Sequence, residues 1–262
     1  MNRGATGFGE RLRAWRQRRG LSQLALALAA ETSQRHLSYL ESGRAAPSRE
    51  MVLRLGATLE LPLRQQNTLL LAAGFAPAWH ERQLDEPELA VVNRALDLML
   101  RQHEPYPAFV VDRHWNLLRA NGGAGRLVEL LTGAAPAGAI NLADALLSPD
   151  ALRPLLVNWQ EVALYFLRGV QADAAADGSA ETQALLLRLR GYPGLPSLSA
   201  LSAADDVPSP VLAMHFRVGE TSLRLFSTIA TLGTPQDVTL QEIRIECLFP
   251  ADDATALAFT SR

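Results

Sequence analysis

The sequence predicts two domains of different class, an all-α head of five short helices and an α+β body built on an antiparallel sheet. Three observations carry this. Apolar residues through the first 75 positions recur at helical spacing, between serine and glycine boundaries. Beyond about residue 105 the pattern changes to short β-prone runs, the clearest with period two. The charge is also divided: residues 1–55 hold ten arginines (Arg3, Arg11, Arg13, Arg16, Arg18, Arg19, Arg35, Arg44, Arg49, Arg54) against Glu10, Glu31, Glu41 and Glu50. That balance of +6 leaves −8 for the remainder, within a net charge of −2. At 262 residues there is room for two domains of roughly 100–200 residues each.

In the head, Phe8, Leu12 and Trp15 share one face of a first helix that Gly20 closes. Ser22 can cap a second helix carrying Leu24, Leu26, Ala27 and Ala30, and Ser33 a third whose Leu37 and Leu40 face inward. Gly43 stops the third, Pro47 forces a turn, and Ser48 starts a fourth through Val52, Leu55 and Leu59. Pro62 separates this from a fifth, with Leu63, Leu69, Leu70 and Leu71, ended by Gly74. The head is thus residues 1–75.

Residues 76–104 read as a connection: a proline-flanked polar linker, APAWHERQLDEP (76–87), then a helix from about Glu88 to His103 with Leu89, Val92, Leu96 and Leu100 on one face. The body, 105–262, opens with PAFVVD (107–112) and WNLLRA (115–120), a hairpin around Arg113-His114. A long helix is expected from Asp150 to Val170, a flexible small-residue loop over 172–180, and a proline-broken stretch over 191–210. Strands return at 211–218, 222–232 and 240–249. In the first of these, Leu212, Met214, Phe216 and Val218 alternate with Ala213, His215 and Arg217, the pattern of a half-buried antiparallel strand.

Several function classes find no support in these residues. No apolar run reaches the ~18–20 residues of a membrane span, and no signal peptide is expected, because no long apolar stretch follows the N-terminal arginines. The single Cys247 cannot form an internal disulfide, which fits a reducing cytoplasm, and its place in an alternating strand marks an inert thiol. The five histidines (His36, His80, His103, His114, His215) lack metal-ligand spacing, so no metal site is expected. Gly122-Gly123-Ala124-Gly125 lacks the P-loop lysine and the dinucleotide fingerprint, and there is no Gly-x-Ser-x-Gly. No catalytic residue, and no cofactor, is called for. A basic head on an acidic body is the footprint expected when the head alone meets phosphate.

The segment LSQLALALAAETSQRHLSYLESGRAAPS (21–48) resembles the helix-turn-helix of the phage-repressor-like (Xre) regulators. The matching residues are Leu21-Ser22-Gln23, Leu26-Ala27, Ala30, Ser33, Leu37, Leu40-Glu41, Gly43-Arg44 and Pro47-Ser48; Glu31 departs, standing where the family favours glycine. The resemblance makes the third helix the one that enters the major groove. With Leu37 and Leu40 packed inward, Gln34, Arg35, Ser38 and Tyr39 face outward as base-reading candidates, since Arg can pair with guanine and Gln with adenine. Gln23, Ser42 and Arg44 are placed for phosphate contacts, and Arg16 matches the family arginine that pairs with Glu41. A homodimer on an inverted-repeat operator follows as the expected mode.

The runs SREMVLRLGATLELPLRQQNTLLLAAGFAP, HEPYPAFVVDRHWNLLRANG, LRPLLVNWQE and FSTIATLGTPQDVTLQEIRIECLFPAD resemble the MmyB-like regulators, whose helix-turn-helix is followed by a PAS-like ligand-binding domain. That resemblance implies a small apolar, fatty-acid-like ligand, held in a cavity expected between the sheet and the helix around 150–170. Trp115, Asn121, Arg153, Asn158, Trp159 and His215 are the candidate lining residues, with Arg153 able to neutralise an acidic headgroup. Three of them also have a plain reading: Arg153 as a surface ion pair, Trp159 as a core anchor, His215 as a satisfied strand histidine. Two alternatives for the body stay open, a protein-partner module and a dimerisation scaffold without a ligand.

Overall fold

The computed structural model describes residues 3–135, 138–195, 211–233 and 235–260, which group into two compact units. The first runs through Arg82 and takes in two short pieces of later chain, 175–177 and 235–241. Its five helices are α1 (Arg3–Arg18), α2 (Gln23–Ala29), α3 (Gln34–Glu41), α4 (Arg49–Thr58) and α5 (Leu63–Ala72). Ser22, Ser33 and Ser48 sit in extended backbone just ahead of α2, α3 and α4. Each hydroxyl accepts the N–H three residues on, from Ala25, His36 and Met51, at 3.0, 3.1 and 3.2 Å. This satisfies one of the donors that every helix start leaves unpaired. Phe8, Leu12, Leu26, Leu37, Leu40 and Leu55 are wholly buried in the core of the head. Gly9 permits the closest approach in it: a Cβ there would lie 2.5 Å from the Leu40 carbonyl oxygen, so α1 and α3 meet backbone to backbone.

Glu31, in the turn between α2 and α3, adopts φ +51°, the left-handed conformation that a glycine takes without cost. The helix-turn-helix therefore keeps the glycine's backbone and bears the strain of a Cβ. Part of the predicted linker is also fixed on the head. Asn67 accepts the N–H groups of Ala78 and Trp79 and donates to the Trp79 carbonyl, and Arg64 pairs with Glu81 at 2.5 Å.

The piece 235–241 is stitched to the same unit. Pro62, at the start of α5, has no capping side chain, and Oε1 of Gln241 accepts the Leu63 N–H at 2.8 Å instead. Asp237 pairs with Arg82 at 2.9 Å, the Val238 N–H donates to the His80 carbonyl at 2.8 Å, and Thr239 Oγ1 donates to the Arg82 carbonyl at 2.6 Å. Most of the connection between the fourth and fifth strands of the body thus belongs to the first unit.

In the second unit a 3₁₀ turn (Pro87–Leu89) leads into α6 (Ala90–Gln102). Strands β1 (Ala108–Val111) and β2 (Leu117–Ala120) form the expected hairpin, and α7 (Gly122–Thr132) and α8 (Leu142–Leu147) follow. Next come α9 (Trp159–Asp177), whose last three residues group with the first unit, α10 (Ala180–Arg190), β3 (Leu212–Val218), β4 (Thr221–Ala230), β5 (Arg244–Pro250) and α12 (Asp253–Thr260); between β4 and β5 the chain forms α11 (Val238–Glu242), of which residues 238–241 group with the first unit. The sheet order is β2-β1-β5-β4-β3, with every pairing antiparallel. Phe109, Met214, Phe216, Leu223, Leu225 and Leu248 join one buried cluster with α7, α9 and α10.

Three boundaries differ from the sequence reading. The long helix begins at Trp159, not Asp150, because residues 150–158 are turns around a 3₁₀ turn at Arg153–Leu155, where Pro154 disfavours helix before it. It then runs through 172–177, read as a loop; the alanine-rich run is a strong helix former and the chain breaks only at Gly178, φ +60°. Residues 240–242, read as strand, end the short helix α11. Of the proline-broken stretch 191–210, residues 196–210 lie outside the described residues.

Candidate functional site

The DNA-facing candidates are organised around α3. Leu37 and Leu40 are fully buried, which turns Gln34 and Arg35 out to solvent and leaves Ser38 and Tyr39 half-buried. Arg35 is held on its own helix: its Nε donates to the Tyr39 hydroxyl at 3.0 Å, with the guanidinium 5.4 Å from the Tyr39 ring centre. Ser42, the C-cap, gives its hydroxyl to the Ser38 carbonyl at 2.8 Å, while Arg44 is exposed just beyond.

Beneath α3 lies a closed charge network. Glu41 has no exposed side-chain surface and accepts from Arg16 Nε at 2.6 Å, Arg16 Nη2 at 3.0 Å, Gln23 Nε2 at 2.8 Å and Arg13 Nε at 3.4 Å. Arg16 also donates to the Leu21 carbonyl at 2.8 Å, tying α1 to the start of α2. Burial alone would push Glu41 up; the hydrogen bonds from Arg16 and Gln23 and the Arg16 charge outweigh it, so the carboxyl sits below the ordinary range. Gln23, placed for phosphate from sequence, is half-buried and commits its amide to this network.

The body contains a cavity of about 460 Å³, bounded by Phe109 and Leu248 of the sheet's centre, Leu117 of β2, Met214 and Phe216 of β3, Leu127 and Val128 of α7, and Leu142 and Leu146 of α8. Its size is within the ~300–1,000 Å³ of small-molecule sites. The cavity expected from sequence lies against the helix around 150–170; of that region only Leu152 reaches the observed one, and no residue of α9 lines it. That helix packs solidly instead, with Val162 and Val170 fully buried and Phe166 edge-on to Trp115 at 4.6 Å.

Among the described residues two polar ones face the cavity, Asn121 and Glu246. Asn121 is spent on the fold: its Oδ1 accepts the N–H of Ala108 and of Ala124, each at 2.9 Å, and its Nδ2 donates to the carbonyls of Leu100 and Tyr106. Glu246 was not singled out from sequence, although it shares the inward parity of Leu248 on β5. The other candidates lie elsewhere. Trp115 is a buried core residue at φ +67° beneath Arg244. Arg153 stacks on Trp159 at 3.7 Å and donates to the Pro193 carbonyl at 2.7 Å. Asn158 bonds the Ala213 carbonyl and the His215 N–H, stapling β3 to the turn before α9, and the His215 ring meets Ser222 at 2.8 Å. Among the described residues no group of three or more His, Cys, Asp and Glu could hold a metal ion.

Residues 92–261 match the model of the MmyB-like transcription regulator ligand binding domain. The chain belongs to the MmyB-like transcription regulators. Residues 8–69 match a helix-turn-helix domain, the span of α1–α5. No curated protein matches the chain. This MmyB-like regulator is therefore a DNA-binding transcription regulator with a ligand-binding domain, and no described helix is long and apolar enough to cross a membrane.

Proposed function

We propose that this protein is a cytoplasmic, non-enzymatic homodimer that binds an inverted-repeat operator through α3 and changes its DNA affinity when a small apolar, acyl- or alkyl-chain ligand enters the body cavity. The observation that carries the reading is the apolar cavity of about 460 Å³ within the domain matched as ligand-binding. In DNA recognition, Gln34, Arg35, Ser38 and Tyr39 read base edges, while Arg44 and Ser42 meet phosphate. Gln23 and Arg16 hold the reading helix through Glu41.

A route between ligand and DNA is available in the chain itself. Glu246 and Leu248, which line the cavity, sit on β5, and β5 follows directly on the 235–241 piece that caps α5 through Gln241. A ligand that shifts β5 would change the capping of α5, and its effect on DNA affinity would equal its differential affinity for the two arrangements. Self-association is supported by Val91 and Leu98, two turns apart on α6 and 68% and 51% exposed. Footprinting combined with sedimentation tests the assembly. The expected result is a dimer covering two half-sites about 10–10.5 bp apart or a multiple of that. A monomer on one asymmetric half-site would contradict it.

A further inference from the structure

Glu246 is the polar group of the cavity wall with capacity left to use. It lies at the centre of the sheet, opposite Phe109 of β1 and Ile229 of β4, and is 3% exposed. Its Oε1 accepts from the Ser227 hydroxyl at 2.6 Å, and among the described residues no hydrogen bond reaches Oε2. The wall formed by the described residues contains no arginine or histidine. Arg244, two residues earlier on β5, is committed to Asp173 at 2.6 Å and lies over Trp115. Asn121 has no donor to spare, as its four bonds show.

These facts decide which polar group a chain ligand can bring to this depth. A carboxylate seated here would face another carboxyl, and the nearest cation, Arg244, is already paired with Asp173 and is not part of the described wall, so the added charge would be buried and poorly compensated. A purely apolar end would leave Oε2 without a partner. A hydroxyl suits the site in both protonation states of Glu246, donating to the carboxylate and accepting from the neutral acid. Burial holds the Glu246 carboxyl above the ordinary range, against the Ser227 hydrogen bond and the Arg244 charge, which both lower it.

We propose that the cavity takes a neutral, hydroxyl-bearing chain ligand whose hydroxyl bonds Oε2 of Glu246, and that a free fatty carboxylate is not the ligand. This rests on the reading of the cavity as a sensing site and specifies the chemistry of its ligand.

The test is calorimetry or fluorescence-displacement titration of the full chain with 1-decanol, 1-chlorodecane and decanoate, repeated on Glu246→Leu. The expected result has 1-decanol binding at least as tightly as the more hydrophobic 1-chlorodecane, and more tightly than decanoate. In Glu246→Leu, 1-decanol should lose about tenfold, the scale of one hydrogen bond to a buried group, while 1-chlorodecane does not weaken. Tighter binding of 1-chlorodecane or decanoate than of 1-decanol to the unsubstituted chain would overturn the hydroxyl assignment and leave a lipid-sensing cavity standing. So would equal changes for both neutral probes in the variant. Binding of none of the three would overturn the sensing reading together with the assignment. The comparison on the unsubstituted chain decides the matter even where Glu246→Leu does not fold.

Discussion

Glu41 in the head and Glu246 in the body are buried to almost the same degree, 4% and 3% exposed, yet their surroundings push them in opposite directions. Around Glu41, Arg16, Gln23 and Arg13 all donate, and the carboxyl is held below its ordinary range. Around Glu246 a serine supplies the one hydrogen bond among the described residues, and burial prevails. A buried acid whose oxygens are all taken is architecture, here the brace behind the reading helix. A buried acid with one oxygen outside any hydrogen bond to the described residues, on the wall of an apolar cavity, is the group proposed to meet the ligand.

The largest effect that separates the two should come from deletion. Glu41→Ala leaves Arg16, whose side chain is only 11% exposed, without its carboxylate. Breaking such a pair costs ~3–5 kcal/mol, and urea titration of the full chain should show the loss in the transition of the head. A loss below ~1 kcal/mol would show that the network is not structural. The pH dependence follows the sign of the shift. Because the folded carboxyl is lowered, its stabilisation is full above the unfolded pKa and is lost as pH falls through the folded one.

On the DNA side the contrast is between a residue that reads and one that only attracts. Arg35→Ala should cost ~1–3 kcal/mol on the selected site and relax one base pair. Arg44→Ala should weaken all sequences alike and reduce the salt slope by about one unit. Titrations at several salt concentrations distinguish them, and equal losses on specific and random DNA for Arg35→Ala would remove it from base reading.

Glu246→Gln should behave unlike Glu41→Ala, with stability at neutral pH unchanged or higher by up to ~1 kcal/mol, since the amide removes a charge that the site disfavours. The sign is opposite as well. The folded carboxyl is raised, so its contribution is full below the unfolded pKa and lost as pH rises through the folded one; the variant should lack that decline. Denaturant midpoints from pH 4 to 9 would check it, and a loss as large as that of Glu41→Ala would erase the distinction between the two acids.

The smallest effect should be Glu31→Gly, which removes a Cβ from φ +51° and should raise stability by ~0.5–1 kcal/mol. A destabilisation would mean that the Glu31 side chain makes up for its strained backbone.

The head was legible from sequence because each boundary there is written in local chemistry. Ser22, Ser33 and Ser48 cap, Pro62 starts α5, and apolar periodicity is unbroken between them. The hairpin and the alternation of Met214 and Phe216 were legible for the same reason. Local signals misled where two of them compete. Small alanine-rich residues at 172–177 look like a loop but extend a helix, and LQE at 240–242 looks like strand but ends one. A cavity in the body was expected from the resemblance, but its position was not legible, because its wall is assembled from β1, β2, β3, β5, α7 and α8, elements far apart in the chain. Polar residues chosen one at a time, such as Arg153 and Asn158, turned out to be bonded to neighbouring backbone. Glu246 carried a faint signal, an acid at inward parity beside Leu248, whose meaning depends on what stands opposite.

The most direct test of ligand-responsive DNA binding is the affinity of the full chain for an operator selected from a random pool, at fixed salt, with and without saturating 1-decanol. The account predicts a shift of about fivefold or more in either direction, the lower end of a ~1–3 kcal/mol coupling. An affinity unchanged while calorimetry shows the cavity filled would contradict it.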